Sequence, residues 1–188
     1  MAGGGKPPRV IAGEAGGRRL VVPRGGRLRP TSDRVKESLF SALGARVVGA
    51  RVLDLYAGTG ALAIEALSRG AAGAVLVERD RAAVEAITAN LEATGMGPAR
   101  VLRGDVPTVV GGPPPTEGPF DVVLADPPYD LADDAVAGVL ARLAAGGWLA
   151  PGAVVAIERP AGAGRPPGWV STWERCYGDT LVWFLQTE

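Results

Sequence analysis

The sequence predicts an α/β fold: a mostly parallel sheet with helices on both faces and an antiparallel pair at its end. Three observations predict it. From residue 51 onward, short apolar runs alternate with segments of helical periodicity, the pattern of βα units that feed a parallel sheet. One run, Val122-Val123-Leu124-Ala125, is apolar without alternation, as expected for a strand covered on both faces. The first run ends in a Gly-rich turn, Ala57-Gly58-Thr59-Gly60, that opens a helix.

Each element follows from local pattern. Residues 9–22 place two short apolar runs around Gly16-Gly17, a hairpin signal. Pro30 biases the chain away from helix, and Thr31, Ser32 or Asp33 can each cap the helix expected over 32–43. In that helix Val35, Leu39, Phe40 and Leu43 recur at helical spacing, with Arg34 and Lys36 in the first turn. Strands are expected at 51–56, 74–77, 99–103, 121–125 and 153–158, with helices over 61–69, 81–93 and 131–143. Val84, Ile87 and Leu91 should share the inner face of the second of these helices, and Val136, Val139, Leu140 and Leu143 that of the third. Residues 169–175 and 180–186 form a closing antiparallel pair, which brings the strand count to seven. The stretches 111–119 and 160–168 are too rich in Pro and Gly for regular structure.

Length and composition bound the function. A chain of 188 residues fits one compact domain, and 47% hydrophobic with 21% charged residues excludes a disordered protein. The expected organisation is a disordered Gly/Pro tail over 1–8, a basic hairpin and helix over 9–50, and a core over 51–188. No apolar run approaches the roughly 18 residues of a membrane span, and the tail lacks the apolar stretch of a signal peptide, so a cytoplasmic protein is expected. With one cysteine and no histidine there is no internal disulfide, no zinc site is expected, and Ser-His-Asp and Cys-His chemistry are removed. The net charge of zero hides an asymmetry. Residues 1–51 hold 11 basic against 3 acidic groups, net +8, and the remainder 9 against 17, net −8. A basic arm on an acidic body is one way to hold a polyanion.

In a parallel sheet of this kind, ligands bind at the carboxyl ends of the strands, near the point where the strand order reverses. After the first strand, Gly58 and Gly60 let the backbone turn sharply and approach a ligand, and the helix they open offers free N–H groups. After the second comes Glu78, 20 residues beyond Gly58, where an acid can accept both hydroxyls of a ribose. After the third come Asp105 and Val106, which suit an adenine amino group and ring. Alone, each also fits a plain turn. Together they also fit a nicotinamide-dependent dehydrogenase, since Gly58 to Ala63 matches G-x-G-x-x-A. Against that rival, Asp54 sits inside the strand end, where dinucleotide binders carry an apolar residue; a carboxylate there suits an amine-bearing ligand.

The loop after the fourth strand, Asp126-Pro127-Pro128-Tyr129, weighs most. Successive prolines fix φ and hold their carbonyls as rigid acceptors. Asp126 adds a carboxylate, and Tyr129 a flat face for a base. An exocyclic amine of a base, whose lone pair is delocalised into the ring, needs such acceptors to become nucleophilic.

These residues resemble the class I amino-methyltransferases of nucleic-acid bases. The blocks Arg9-Val-Ile-Ala-Gly13, Gly16-Gly-Arg-Arg-Leu20, 29–37 with Arg29, Arg34 and Lys36, 54–62, 65–71 and 177–180 resemble the bacterial 16S rRNA guanine-N(2) methyltransferases, the RsmD family, from about residue 9 to the end. The resemblance implies a Rossmann-like seven-stranded sheet with a reversed last hairpin, S-adenosylmethionine as cofactor, no metal, and a guanine of small-subunit rRNA, free or in an assembling subunit, as target. By position it implies Asp54, Gly58 and Gly60 at the methionine end, Glu78 at the ribose, and Asp105 and Val106 at the adenine, with Tyr56, Thr59 and Arg79 completing the cofactor set. Asp126, Pro127, Pro128 and Tyr129 are the implied catalytic pocket. Arg9, Arg18, Arg19, Arg29, Arg34 and Lys36 are the candidates for RNA contact, and a monomer is the expected working form.

Other classes fit less well. A DNA amino-methyltransferase is the main alternative, but fewer than 50 residues lie outside the core, too few for a typical target-recognition module. Cytosine C5 chemistry needs a cysteine nucleophile, and Cys176 is expected away from the ligand loops. A protein-glutamine methyltransferase usually has Asn in place of Asp126, and a non-catalytic RNA-binding module has no need of Asp126. Trp148, Trp169, Trp173 and Trp183 are expected to pack in the core and sheet edge.

Overall fold

The computed structural model describes residues 7–23 and 32–187. Arg29, Pro30, Thr31 and the first six residues of the expected tail lie outside them.

Helix α1 (Asp33–Leu43) starts where Ser32 Oγ accepts from the Val35 N–H at 3.3 Å. It buries Val35, Leu39, Phe40 and Leu43, the face its periodicity predicts. The chain then alternates through β1 (Arg51–Leu55), α2 (Ala61–Ser68), β2 (Gly73–Glu78), α3 (Arg81–Thr94), β3 (Ala99–Arg103), α4 (Val106–Val109), β4 (Phe120–Ala125), α5 (Asp133–Ala145) and β5 (Leu149–Pro160), and closes with β6 (Trp169–Tyr177) and β7 (Thr180–Thr187). The seven strands lie in the order β3-β2-β1-β4-β5-β7-β6. The first five are parallel, while β7 runs antiparallel to both β5 and β6.

Alternation along the strands divides the core into two layers. Val52, Leu76, Val122, Leu124 and Val154 pack with Leu39, Phe40, Leu62 and Ile87 of α1 to α3. Leu53, Val75, Val123 and Val155 pack with Val136, Val139, Leu140 and Leu143 of α5 on the opposite face. Trp148 belongs to this second layer. It lies 6.1 Å from Phe120, and its Nε1–H donates to the Gly112 carbonyl at 3.1 Å, which anchors the irregular 111–119 stretch. Among the described residues no helix is long and apolar enough to cross a membrane.

Four expectations need correction. Tyr56 is not part of β1, because its φ of 60° ends the strand at Leu55. The inner face of α3 is Ala83, Ala86, Ile87, Asn90 and Thr94, whereas Val84 and Leu91 are only half-buried; small residues let this helix sit close to the sheet. A four-residue helix, α4, follows Asp105, too short to leave a periodic signal. The N-terminal hairpin forms without regular strands: beside one isolated bridge, Arg9 with Arg19, the N–H groups of Leu20, Val10 and Gly17 donate across it to the carbonyls of Pro8 at 2.8 Å, Arg18 at 2.9 Å and Val10 at 2.8 Å. Further backbone groups of the segment are satisfied by the core. Glu65 takes the N–H groups of Ile11 at 2.6 Å and Ala12 at 3.1 Å, Ser68 Oγ that of Ala15 at 2.9 Å, and Asn90 Oδ1 that of Val21 at 2.6 Å.

Candidate active site

The strand order reverses between β1 and β4. The loops that follow these two strands therefore diverge over a gap at the carboxyl end of the sheet, where such folds bind ligands. A cleft of about 940 Å³ opens there. It brings together Asp54, Tyr56, Gly58 and Thr59 from β1 and its loop, Glu78 and Arg79 after β2, Asp105 and Val106 after β3, and Asp126 to Tyr129 after β4.

Asp54 forms the floor. It is 1% exposed, and its Oδ2 accepts from the Ala63 N–H in the first turn of α2 at 3.0 Å. Burial pushes its pKa up to about 8 against the opposing Ala63 hydrogen bond, and the carboxylates of Asp126 and Glu78 push it further in the same direction. Glu78 is also buried. Its Oε2 accepts from the Gly58 N–H at 2.9 Å and its Oε1 from the Asp80 N–H at 2.8 Å, so this acid shapes the Gly loop and still has lone pairs for a ligand. The buried Tyr56 hydroxyl has no hydrogen-bond partner among the described residues. Burial, with Asp105 nearby, pushes its pKa up to about 12, so it remains a phenol and a donor.

The β4 loop forms the opposite wall. Pro127 is buried and Pro128 exposed. The Tyr129 hydroxyl and Thr180 Oγ1 share a hydrogen bond of 2.6 Å, which ties the loop to the start of β7. Asp80, Asp130, Glu158, Tyr177 and Thr180 also line the cleft, and sequence reasoning missed them. Topology explains the last two. A last hairpin that runs antiparallel to β5 returns its β6–β7 turn to the carboxyl ends of the parallel strands, so Tyr177 and Thr180 arrive at the cleft. The same geometry corrects Cys176, which is exposed on the cleft rim rather than away from it.

Other expected residues lie elsewhere. Gly60 does not line the cleft. It begins α2 with φ of 75°, and a Cβ there would meet Leu76 Cδ2 at 3.2 Å, so it serves the turn. Lys36 is corrected outright as an RNA contact. It is 0% exposed, donates to the Arg9 carbonyl, and pairs with Asp33 at 3.7 Å. Burial lowers its pKa, and Glu65 and Asp33 oppose that shift. Arg34 lines the cleft. Arg9, Arg18 and Arg19 lie outside it on the exposed N-terminal segment. There Arg9 pairs with Asp33 at 2.8 Å, and Arg18 donates to the Ala93 carbonyl at 2.6 Å. Among the described residues no group of three His, Cys, Asp or Glu is placed to hold a metal ion.

The profile of the family described as conserved hypothetical protein 95 matches residues 8–186. Ribosomal RNA small subunit methyltransferase D of Escherichia coli K12 is 39% identical over 186 residues, which cover 96% of this chain and 90% of that protein. The solved structure of yhhF from Escherichia coli superposes with a TM-score of 0.82 at 37% identity, covering 96% of this chain and 97% of that one. The rRNA methyltransferase aviRa from Streptomyces viridochromogenes reaches a TM-score of 0.66 at 19% identity over 88% of each chain, a likeness of fold alone.

Proposed function

The chain belongs to the conserved hypothetical protein 95 family, the RsmD family its N-terminal motifs resemble, and from that membership we propose that it methylates the exocyclic N(2) amine of a guanine in small-subunit rRNA with S-adenosylmethionine. One observation carries the reading: the Asp126-Pro-Pro-Tyr129 loop and the acids of three neighbouring strand ends open onto one cleft. The donor set fits the cofactor. Asp54 suits its amino group, Glu78 its ribose and Asp105 its adenine amine, while the orphaned Tyr56 hydroxyl marks a place whose hydrogen bonding is completed by a ligand or water. An enzyme with this substrate works in the cytoplasm.

When bound, S-adenosylmethionine supplies an electrophilic methyl group on a sulfonium, already a good leaving group. What remains for the protein is positioning and electrostatics. Asp126 accepts an N–H of the target amine, and the rigid carbonyls of the proline pair offer a second acceptor. Both draw electron density onto the nitrogen as it attacks. Tyr129, held through Thr180, presents its ring to the extruded base.

Labelled methyl transfer to small-subunit rRNA, as naked RNA and as partly assembled subunits, with digestion to nucleosides, tests the reading. Labelled N(2)-methylguanosine is expected from the wild type. Asp126→Ala should lower kcat by at least about a hundredfold and leave RNA affinity intact. Label in DNA alone would make it a DNA amino-methyltransferase, and no label in any nucleic acid would overturn the reading.

A further inference from the structure

A second depression, about 620 Å³ and open to solvent, runs between α1 and the edge strand β6. Arg34, Ser38 and Ser41 line it from one face of α1, opposite the face that buries Lys36. Trp173, Arg175, Cys176 and Tyr177 line it from β6. It is continuous with the catalytic cleft, because Arg34, Cys176 and Tyr177 border both. We propose that this groove seats the single-stranded RNA adjoining the target base. The proposal rests on the rRNA reading above.

Three observations point to RNA. The first is continuity. A base drawn into the cleft leaves its own backbone outside, and the strand must then cross the rim. The cleft itself is lined by seven carboxylic side chains against two arginines, so phosphates are turned away from it. The second is charge. Arg34 and Arg175 are exposed, and their guanidinium groups make no hydrogen bond or ion pair with any described residue, unlike those of Arg9, Arg51, Arg69 and Arg159. Two unengaged guanidinium groups on facing walls suit phosphate oxygens. Glu37, the one acid lining the groove, gives it an acceptor for a base amine.

The third observation is aromatic. Trp173 is fixed against Phe184, with ring centroids 4.6 Å apart, and remains half-buried at the groove. Tyr177 is fixed by the hydrogen bond from its hydroxyl to Ser38 Oγ. Rigid rings beside unpaired arginines are the means by which proteins hold unpaired nucleotides. Trp173 thus packs on the sheet edge, as the sequence predicts, and also offers the groove a flat surface.

Arg175→Ala tests the groove. Once wild-type methylation of rRNA is measured, a failure of the functional reading is seen separately. The variant should raise the KM for rRNA on the order of tenfold, with kcat and S-adenosylmethionine affinity unchanged. The slope of log KM against log salt should flatten by about one phosphate contact, and Arg175→Lys should keep the slope. An Arg175→Ala enzyme with wild-type KM and salt slope overturns the proposal. Cys176 supplies an independent measurement, because it is the chain's single cysteine and is exposed in the groove. A photocrosslinker attached there should capture nucleotides adjoining the methylated guanine. Capture confined to distant rRNA segments or to ribosomal proteins overturns the proposal.

Discussion

Asp54 holds a carboxyl group in the floor of the cleft where burial and two neighbouring acids resist its ionisation. Its pKa in the folded protein, about 8, lies well above the ordinary carboxylate value, so between about pH 4 and pH 8 the folded protein binds a proton that the unfolded chain does not. Stability of the ligand-free protein should therefore fall as pH rises through that window, the reverse of the usual carboxylate behaviour. A ligand amine changes the balance by favouring the carboxylate. Affinity for S-adenosylmethionine should thus increase from about pH 6 to about pH 8, with release of a proton on binding. Calorimetry in buffers of different ionisation enthalpy measures both effects. Asp54→Asn should abolish the proton release and flatten the pH dependence; persistence of either in that variant would remove Asp54 from the role. Its neighbour Tyr56 illustrates a limit of sequence reading. The residue is visible as part of the Gly-loop motif, but its left-handed backbone and orphaned hydroxyl arise only from folding around it.

Among the elements, α2 does more than cover the sheet. Nearly all of this helix is buried, and its polar residues Glu65 and Ser68 face the N-terminal segment. Glu65 receives two backbone N–H groups of that segment and also the Arg69 guanidinium at 2.6 Å. Lys36, from α1, is close enough for the Glu65 charge to act on it, and it holds the Arg9 carbonyl. One fully buried carboxylate thus unites three pieces of chain. Glu65→Ala leaves the Arg69 guanidinium and two N–H groups without their acceptor, removes the charge that acts on Lys36, and should destabilise the protein by about 3 kcal/mol or more in urea unfolding. The Ile11 and Ala12 amides should then exchange rapidly. Removing the exposed Arg81–Glu85 pair with Glu85→Ala should change stability by less than about 1 kcal/mol. A small effect at Glu65 would refute the clasp. The sequence shows why elements were legible and this contact was not. Apolar periodicity places α1, α5 and all seven strands because it records burial near each residue. Glu65 and the Ile11 and Ala12 amides that it holds are more than 50 positions apart, so no local pattern joins them. The same blindness made Lys36 resemble a surface cation.

For the whole molecule, charge separates two ligands of opposite sign. The basic residues concentrate before residue 52, net +8, whereas the cleft lining is predominantly acidic. On the proposed reading that lining favours a sulfonium and an ammonium and disfavours a pyrophosphate. On the same proposed reading a polyanion is held instead by exposed arginines outside the cleft, Arg18 and Arg19 among them, so only an uncharged base need enter. This arrangement distinguishes the methyltransferase from the dehydrogenase that the Gly loop alone permits. S-adenosylmethionine should raise the melting temperature in proportion to its occupancy, while NAD at the same concentration should leave it unchanged. Salt should separate the two ligands as well. Counterion release makes RNA binding fall steeply with ionic strength, whereas the interactions of a small ligand in a partly enclosed cleft are screened much less. Raising salt from about 50 to about 200 mM should increase the KM for rRNA by at least tenfold and shift the Kd for S-adenosylmethionine by less than about threefold. If both constants moved together, the cleft and the exterior would not be electrostatically distinct, and the basic N-terminal region would have to act on the cofactor site rather than on RNA.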